Sequence, residues 1–370
     1  MRNRTKAYGM RYSPEKGRKK LCRAACLAVC LTLALCAGAA GSAAEGGSWS
    51  QINQSLARGE NWTRFVTLPA EAFQLGEIRP LEGSEGLSIA EWGDYPSLDG
   101  STVCVPLAME LARQWLDLPE EDLNGFVNFS TTPVAYQRLT EGKANPMVTI
   151  VSRGIMMDDT HPVDIVLGTG PSADERAAAE KAGRELVLVP FCYDAFVFLV
   201  NSENPVEELT ADQIRQIYSG EASQWRDVGV DLDGWIFAYQ RPHGSGSQTA
   251  MEELVMGDVP LEENSPYISD GMADLIAQIG TYDNRENSLG YSYMYYVEGL
   301  YKSGAIKMLR VDGAEPSEEN LRSGTYPFTV NYYAVYEKGN ETAERFAAWL
   351  VSDEGQACVR QAGYIPLRDP

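Results

Sequence analysis

Polar and apolar positions along this chain fall into a repeating order: a short apolar run, a turn rich in glycine or hydroxyl side chains, then a stretch with helical periodicity. Residues 106–116 place Leu107, Leu111 and Trp115 on one helical face, behind the turn Asp99-Gly100-Ser101-Thr102. Residues 126–129 read as a strand, and Ser130-Thr131-Thr132-Pro133 then opens a helix with proline at the favoured first position. The continuous apolar run 163–168 predicts a buried strand; Thr169-Gly170-Pro171-Ser172 follows, and Ser172 and Glu175 stand at capping-box spacing before an Ala-rich helix. Residues 235–239 predict a strand, and after a loop residues 250–256 predict a helix. These four units argue for α/β architecture, with ligands taken at the carboxyl ends of the strands.

Further elements follow the same logic. Residues 185–190 and 195–200 read as two strands separated by Phe191-Cys192-Tyr193-Asp194. A helix capped by Thr210 turns Ile214 and Ile217 inward, 274–279 is helical, 306–311 and 326–336 are strands, and 341–350 is an amphipathic helix burying Phe346, Trp349 and Leu350. Residues 147–157 read as an insertion with no assigned role.

The loop Arg241-Pro242-His243-Gly244-Ser245-Gly246-Ser247-Gln248-Thr249 joins a strand to a helix start. Its glycines let a ligand approach the backbone, and its hydroxyls and helix N–H groups converge on one spot that attracts an anion. Arg241 adds a planar cationic fork suited to carboxylate, sulfate or phosphate. The same residues also fit an ordinary helix cap beside a surface arginine. Capping alone likewise explains Ser101 or Thr102.

Residues 1–44 stand apart, with nine Lys or Arg against one acid, an apolar core at 27–35 and small residues before a cleavage point after Ala44. This is a secretory signal peptide, its core too short for a stable span. Leu33-Ala34-Leu35-Cys36 also resembles a lipobox, which would make Cys36 a lipid anchor. Residues 45–91 form an acidic extension or tether. The whole chain carries 31 Lys+Arg against 52 Asp+Glu; without the leader 22 face 51, a net charge near −29. Bulk electrostatics therefore exclude nucleic acid and anionic membranes as partners, and local dipoles must hold any bound anion. Cys104, Cys192 and Cys358 make no disulfide framework, and with only His161 and His243 there is no metal-ligand cluster. No cofactor is expected.

The ordered set of segments resembles the phosphate-binding proteins of ABC-type phosphate importers, within the type II periplasmic binding protein family. The resemblance is carried by Asp99-Gly100-Ser101-Thr102, Val200-Asn201 with Asn204-Pro205-Val206, Leu209-Thr210 with Gln213-Ile214, and Ile217-Tyr218-Ser219-Gly220. It continues through Trp225, Arg241 with Ser245-Gly246-Ser247, Tyr326-Pro327, Glu354-Gly355-Gln356 and Gly363-Tyr364-Ile365-Pro366-Leu367, spanning about residues 95–367. It implies two α/β lobes, 92–192 with 328–370 and 193–327, joined by a hinge crossed near 190–195 and 326–330, closing over the ligand. By the same resemblance Ser101, Thr102, Thr131, Thr132 and Thr169 serve from lobe one, and Arg241, Ser245, Gly246 and Ser247 from lobe two. It further implies an exported monomeric receptor, no catalytic residues, and ABC permease subunits as partners. One departure stands out: where the family has an aspartate that accepts a proton from phosphate, this chain has Thr169-Gly170. Either a neighbour such as Asp99 takes that role, or selectivity shifts toward sulfate, an organophosphate or another anion.

Two further classes are open to test. His243 lies two residues from Ser245, but the chain has no nucleophile elbow and no P-loop lysine, which argues against an enzyme. The acidic extension alone supports a surface sensing protein that kept the fold.

Overall fold

The computed structural model describes residues 95–116, 127, 129–145, 161–262, 265–281 and 287–369, together with the backbone of 151–152 and 155–156. The signal peptide, Cys36 and the 45–91 extension lie outside the described residues. Among the described residues no helix is long and apolar enough to cross a membrane.

The elements are β1 (Leu98–Gly100), a 3-10 turn (Thr102–Cys104), α1 (Val105–Leu116), α2 (Thr132–Glu141), β2 (Val151–Ser152), β3 (Ile155–Met156), β4 (Ile165–Gly168) and α3 (Ala173–Lys181). Then come β5 (Leu186–Asn201), β6 (Glu208–Leu209), α4 (Ala211–Tyr218), β7 (Phe237–Ala238), α5 (Gly246–Ala250) and its π-helical continuation (Met251–Met256), α6 (Met272–Thr281) and β8 (Ser288–Tyr293). The chain closes with β9 (Ile306–Met308), β10 (Arg310–Val311), α7 (Glu318–Ser323), β11 (Thr329–Glu337), α8 (Glu341–Leu350), α9 (Asp353–Gln361) and β12 (Ile365–Pro366).

One eight-stranded sheet runs β1-β4-β11-β5-β8-β7, with β9 and β12 also paired to β5. β5 is its spine. Up to Ala195, opposite Thr329, it pairs with β11, and Tyr193 and Cys192 pair with β12. From Phe196 onward it pairs instead with β8 and β9. The two halves of the sheet therefore share one strand, and Phe196 N–H donating to the Phe328 carbonyl (2.9 Å) marks the changeover.

The sequence breaks this strand at residues 191–194, whereas the structure runs it through. Pro190 has no N–H to donate, so a regular ladder would fail there. The register instead slips between Tyr332 and Tyr333, leaving Phe191 as the extra residue of a bulge. Its carbonyl accepts from Gln356 Nε2 (3.0 Å), which also donates to Leu350 O (2.9 Å), while Gln356 Oε1 accepts from Leu367 N–H (2.6 Å). Gly355 lets α9 come close enough for this, since a Cβ there would lie 2.2 Å from Trp349 O.

Other expectations shift for similar reasons. The 306–311 run divides, β9 joining the main sheet and β10 pairing with β6 in parallel. Val127 and Phe129 are buried but belong to no strand. Residues 147–157 contain the short antiparallel pair β2–β3. The 326–336 strand begins at Thr329, after Tyr326 has turned its hydroxyl onto Phe196 O (3.0 Å). The Ser172–Glu175 capping box is present, with both reciprocal bonds.

Beneath the sheet lies an aromatic core. Phe196, Phe198, Tyr218, Tyr291, Tyr293 and Tyr332 are almost wholly buried, and Phe196 meets Tyr293 edge-on with centroids 5.6 Å apart. Each buried ring of this size contributes about 1.5–3 kcal/mol, plus about 0.5–1.5 for a well-oriented pair. Two of these tyrosines, Tyr291 and Tyr293, use their hydroxyls to anchor one of the loops described next. Cys104, Cys192 and Cys358 are free and buried.

Candidate anion-binding site

β1 and β4 are parallel neighbours, so the loops leaving their carboxyl ends emerge side by side. Ser101 N–H donates to Leu167 O (2.9 Å). Gly100 is what permits this approach, because a Cβ at that position would sit 1.9 Å from Leu167 O. Ser101 then precedes the 3-10 turn that Thr102 begins, but its side chain makes no capping bond. Capping therefore does not account for this serine.

Asp99, wholly buried beneath the loop, is saturated. Oδ1 accepts from Gly100 N–H (2.8 Å) and Ser130 N–H (2.7 Å); Oδ2 accepts from Ser130 Oγ (2.7 Å) and Arg138 Nη1 (2.9 Å). Burial nonetheless raises its pKa, against the pull of these donors. Asp99 fastens the 99–102 turn to the start of α2, and Arg138 is neutralised in doing so. Its four acceptor positions are all taken, so Asp99 itself has none left for a ligand.

At the start of α2, Thr131 has φ 135° and ψ 157°, a conformation that side chains other than glycine rarely adopt. It makes no side-chain cap, and Thr132 is buried as the first helical residue. Thr169, just past β4, has its carbonyl held by Tyr136 O–H (2.7 Å). Its Oγ1 is buried with no hydrogen-bond partner.

The 241–249 loop faces these groups from the other half of the sheet. Its helix starts at Gly246, earlier than the pattern suggests, because Ser245 caps it by accepting from Gln248 N–H (3.3 Å). Gln248 Oε1 in turn accepts from Arg241 N–H (3.0 Å) and from Tyr291 O–H. Arg241 N–H also donates to Tyr291 Oη (2.9 Å), and Tyr293 O–H donates to Gly246 O (2.9 Å). The aromatic core thus fixes both ends of the loop.

The two sides touch at Gly246. A Cβ built there would lie 3.0 Å from Thr169 Oγ1 and 3.2 Å from Thr132 Oγ1. Ser247 beside it is buried. Arg241 Nη2 donates to Asp270 O (2.9 Å), while Nε and Nη1 are buried without partners. Burial pushes the guanidinium below its ordinary pKa, with Tyr291, Tyr296, Asp274 and Asp270 acting the other way; it remains a cation. A cation with two buried, unused donors favours an anion that completes it.

The structure thus joins Thr132, Thr169 and Gly246 in one contact, with Ser101 next to Gly168 (3.2 Å between the built Cβ and Ser101 Cβ) and Arg241, Ser245 and Ser247 on the facing loop. Thr102 and Thr131 contribute turn and helix-start geometry. Sequence reading passed over Gln248, Tyr136, Tyr291 and Tyr293 as supports. Gln248, three residues after Ser245, carried the only signal, as an N3 position. His243 turns its ring to Asp174 Oδ2 (3.3 Å) and Glu252 Oε1 (3.4 Å), away from a nucleophile–base pairing with Ser245. No group of three metal-ligating side chains occurs among the described residues.

A two-lobed α/β sheet with a shared central strand, and facing hydroxyl-rich loops at the contact of its halves, is the type II periplasmic binding protein fold. The chain belongs to the PBP superfamily, whose domain model matches residues 130–354. Among curated relatives, the phosphate-binding protein PstS of Staphylococcus epidermidis is 24% identical over 278 residues, covering 72% of this chain and 77% of its own. PstS of Pseudomonas aeruginosa is 26% identical over 260 residues, covering 64% and 72%. A Clostridium perfringens protein solved with bound phosphate, and assigned as a phosphate ABC transporter substrate-binding protein, is 25% identical. It superposes with a TM-score of 0.53 over 74% of this chain and 99% of that one. An ABC-type phosphate transport receptor from Vibrio cholerae, at 20% identity and TM-score 0.52 over 73% and 99%, shares the fold.

Proposed function

We propose that this protein is an extracytoplasmic receptor that captures inorganic phosphate between its lobes and delivers it to an ABC importer. The observation that carries the reading is the half-buried Arg241, whose Nε and Nη1 are buried without a partner, on a loop whose Gly246 abuts the hydroxyls of Thr132 and Thr169. Relatives named as phosphate-binding proteins, rather than enzymes, support the same reading. In this mechanism Arg241 neutralises the anion, while Ser101, Thr132, Thr169, Ser245, Ser247 and the N–H groups of Gly246 and Ser247 donate to its oxygens. Thr102 and Thr131 complete the first loop pair. Residues 92–192 with 328–370 act as one lobe and 193–327 as the other, and the switch of partners along β5 at Ala195–Phe196 supports a hinge there. The receptor acts as a monomer exported by its leader; processing at the lipobox in place of cleavage after Ala44 would retain it at the membrane through Cys36.

One specific observation bears on selectivity. With Asp99 saturated, the group standing where an aspartate would read the ligand's proton is the Thr169 hydroxyl, which can either donate or accept. Such a site does not distinguish a protonated from a proton-free oxyanion, so sulfate competes with phosphate. Titration calorimetry of the purified, ligand-stripped chain tests both statements. Tight phosphate binding with competition by sulfate is expected. Phosphate binding that ignores a thousandfold excess of sulfate would refute the selectivity statement, and absence of binding to either anion would refute the receptor reading.

A further inference from the structure

Along the solvent-facing rim of the 241–249 loop, side chains of opposite charge from the two halves meet. On one side is the first turn of α3, which follows β4; on the other is the loop and helix that follow β7. His243 Nε2 lies 3.3 Å from Asp174 Oδ2 and its Nδ1 3.4 Å from Glu252 Oε1, so the ring spans both halves. Beside it Arg176 Nη2 meets Glu253 Oε1 at 3.1 Å. Arg176 is steadied on its own side by a second bond, from Nη1 to Pro171 O. Glu175, between these residues, is occupied with the Ser172 cap. The charged groups around His243 are therefore Asp174, Glu175 and Arg176 on α3, and Glu252 and Glu253 on its own side.

Resting on the receptor reading above, we propose that the Asp174–His243 and Arg176–Glu253 pairs are positioning residues that hold the cleft shut, setting how fast the bound anion leaves without touching it. Both pairs cross from one half to the other beside the loop that carries Arg241. They form only when the halves are together, so they lend stability to the closed state alone and act on release. They are also largely exposed, which makes each a modest, salt-sensitive contribution.

The two pairs differ in pH response. Asp174 and Glu252 raise the pKa of His243. A histidine whose closed-state pKa lies above its free value adds stability that is complete below about 6.5 and disappears as pH rises through the closed-state value. The Arg176–Glu253 pair contains no histidine.

The test is stopped-flow release of inorganic phosphate from the full chain and from D174N and E253Q, at pH 6 and pH 8 in low salt. Glu253 makes no contact with the 241–249 loop and Asp174 meets it only through the exposed His243 ring, whereas Glu252 also receives Gln248 Nε2 (3.1 Å). D174N should speed release about twofold to fivefold at pH 6 and not at pH 8; E253Q should speed it by a similar factor at both, with association unchanged. Half-molar NaCl should shrink both effects. Equal release from all three proteins, or a D174N effect independent of pH, would overturn the proposal. If the wild-type chain binds no phosphate, the receptor reading fails by itself. The rim pairs are then judged by small-angle scattering of the unliganded chain at pH 6, where D174N/E253Q should enlarge the radius of gyration and an unchanged radius would refute them.

Discussion

Removing Arg241 tests the site most severely. In Arg241→Ala the ligand loses a charge-assisted fork, Nε and Nη1, that has no other partner in the described structure. Taking one member from a buried, hydrogen-bonded charge pair costs about 3–5 kcal/mol, which at about 1.4 kcal/mol per tenfold is a loss of roughly a hundred- to several-thousand-fold in affinity. The unliganded fold has little to lose: one bond to Asp270 O disappears, worth about 1 kcal/mol, and a desolvated cation goes with it. The melting temperature without ligand should therefore stay within about 4 °C of wild type. Phosphate at a thousandfold excess over the wild-type Kd, which stabilises the wild type by about 4 kcal/mol, should stabilise the variant by only about 0.1–1.2 kcal/mol. Calorimetry and thermal melts with and without phosphate give both numbers. Arg241→Lys keeps the charge but not the fork and should fall between. Affinity within threefold of wild type in Arg241→Ala would refute the reasoning, because no other cation on the 241–249 loop is placed to replace it.

Four more outcomes follow from particular contacts. Gly246→Val places branched carbon where even a Cβ lies 3.0 Å from Thr169 Oγ1, so phosphate affinity should drop at least tenfold with melting unchanged. Thr131→Gly relieves a backbone at φ 135° and should raise the melting temperature, by the equivalent of about 1–3 kcal/mol less any entropy gained by the unfolded chain; no rise would mean the conformation is unstrained. Burial raises the Asp194 carboxyl from 3.8 to about 7 despite donors from Tyr332, Tyr295 and Ala195. Its contribution to stability is therefore complete below about pH 3.8 and lost as pH rises through about 7, so thermal stability should decline from pH 5 to 8 more steeply in wild type than in Asp194→Asn, and equal slopes would contradict this. Gly355→Ala should cost several kcal/mol by denaturant melts, because a Cβ 2.2 Å from the Trp349 carbonyl forces α9 off the bulge at Phe191.

What could be read in advance was local. Capping spacings, hydroxyl-rich turns and apolar runs each depend on neighbours in the chain, and they marked out Ser101, Thr132, Thr169 and the 241–247 loop. What could not be read depends on distant partners. Pro190 argues for a strand break until Gln356, 166 residues later, supplies the donor for the bulge carbonyl. Asp99 looked like a candidate ligand because nothing nearby announces that Ser130 and Arg138 occupy it. Tyr291 and Tyr293 are core aromatics, and that their hydroxyls also hold the ligand loop is a matter of strand register. The gap is widest at His243, whose partners come from both halves of the sheet.

The central claim is that one anion sits between Arg241 and the Thr132–Thr169 side of the cleft. A crystal structure of the chain with phosphate tests it most directly. The account predicts a tetrahedral anion with oxygens at hydrogen-bond distance from Arg241 Nε or Nη1, from Thr169 Oγ1 and from the backbone N–H of Gly246 or Ser247. An anion bound elsewhere, such as the cavity lined by Asp194, Tyr295, Glu318 and Tyr364, with Arg241 still unpaired, would contradict it.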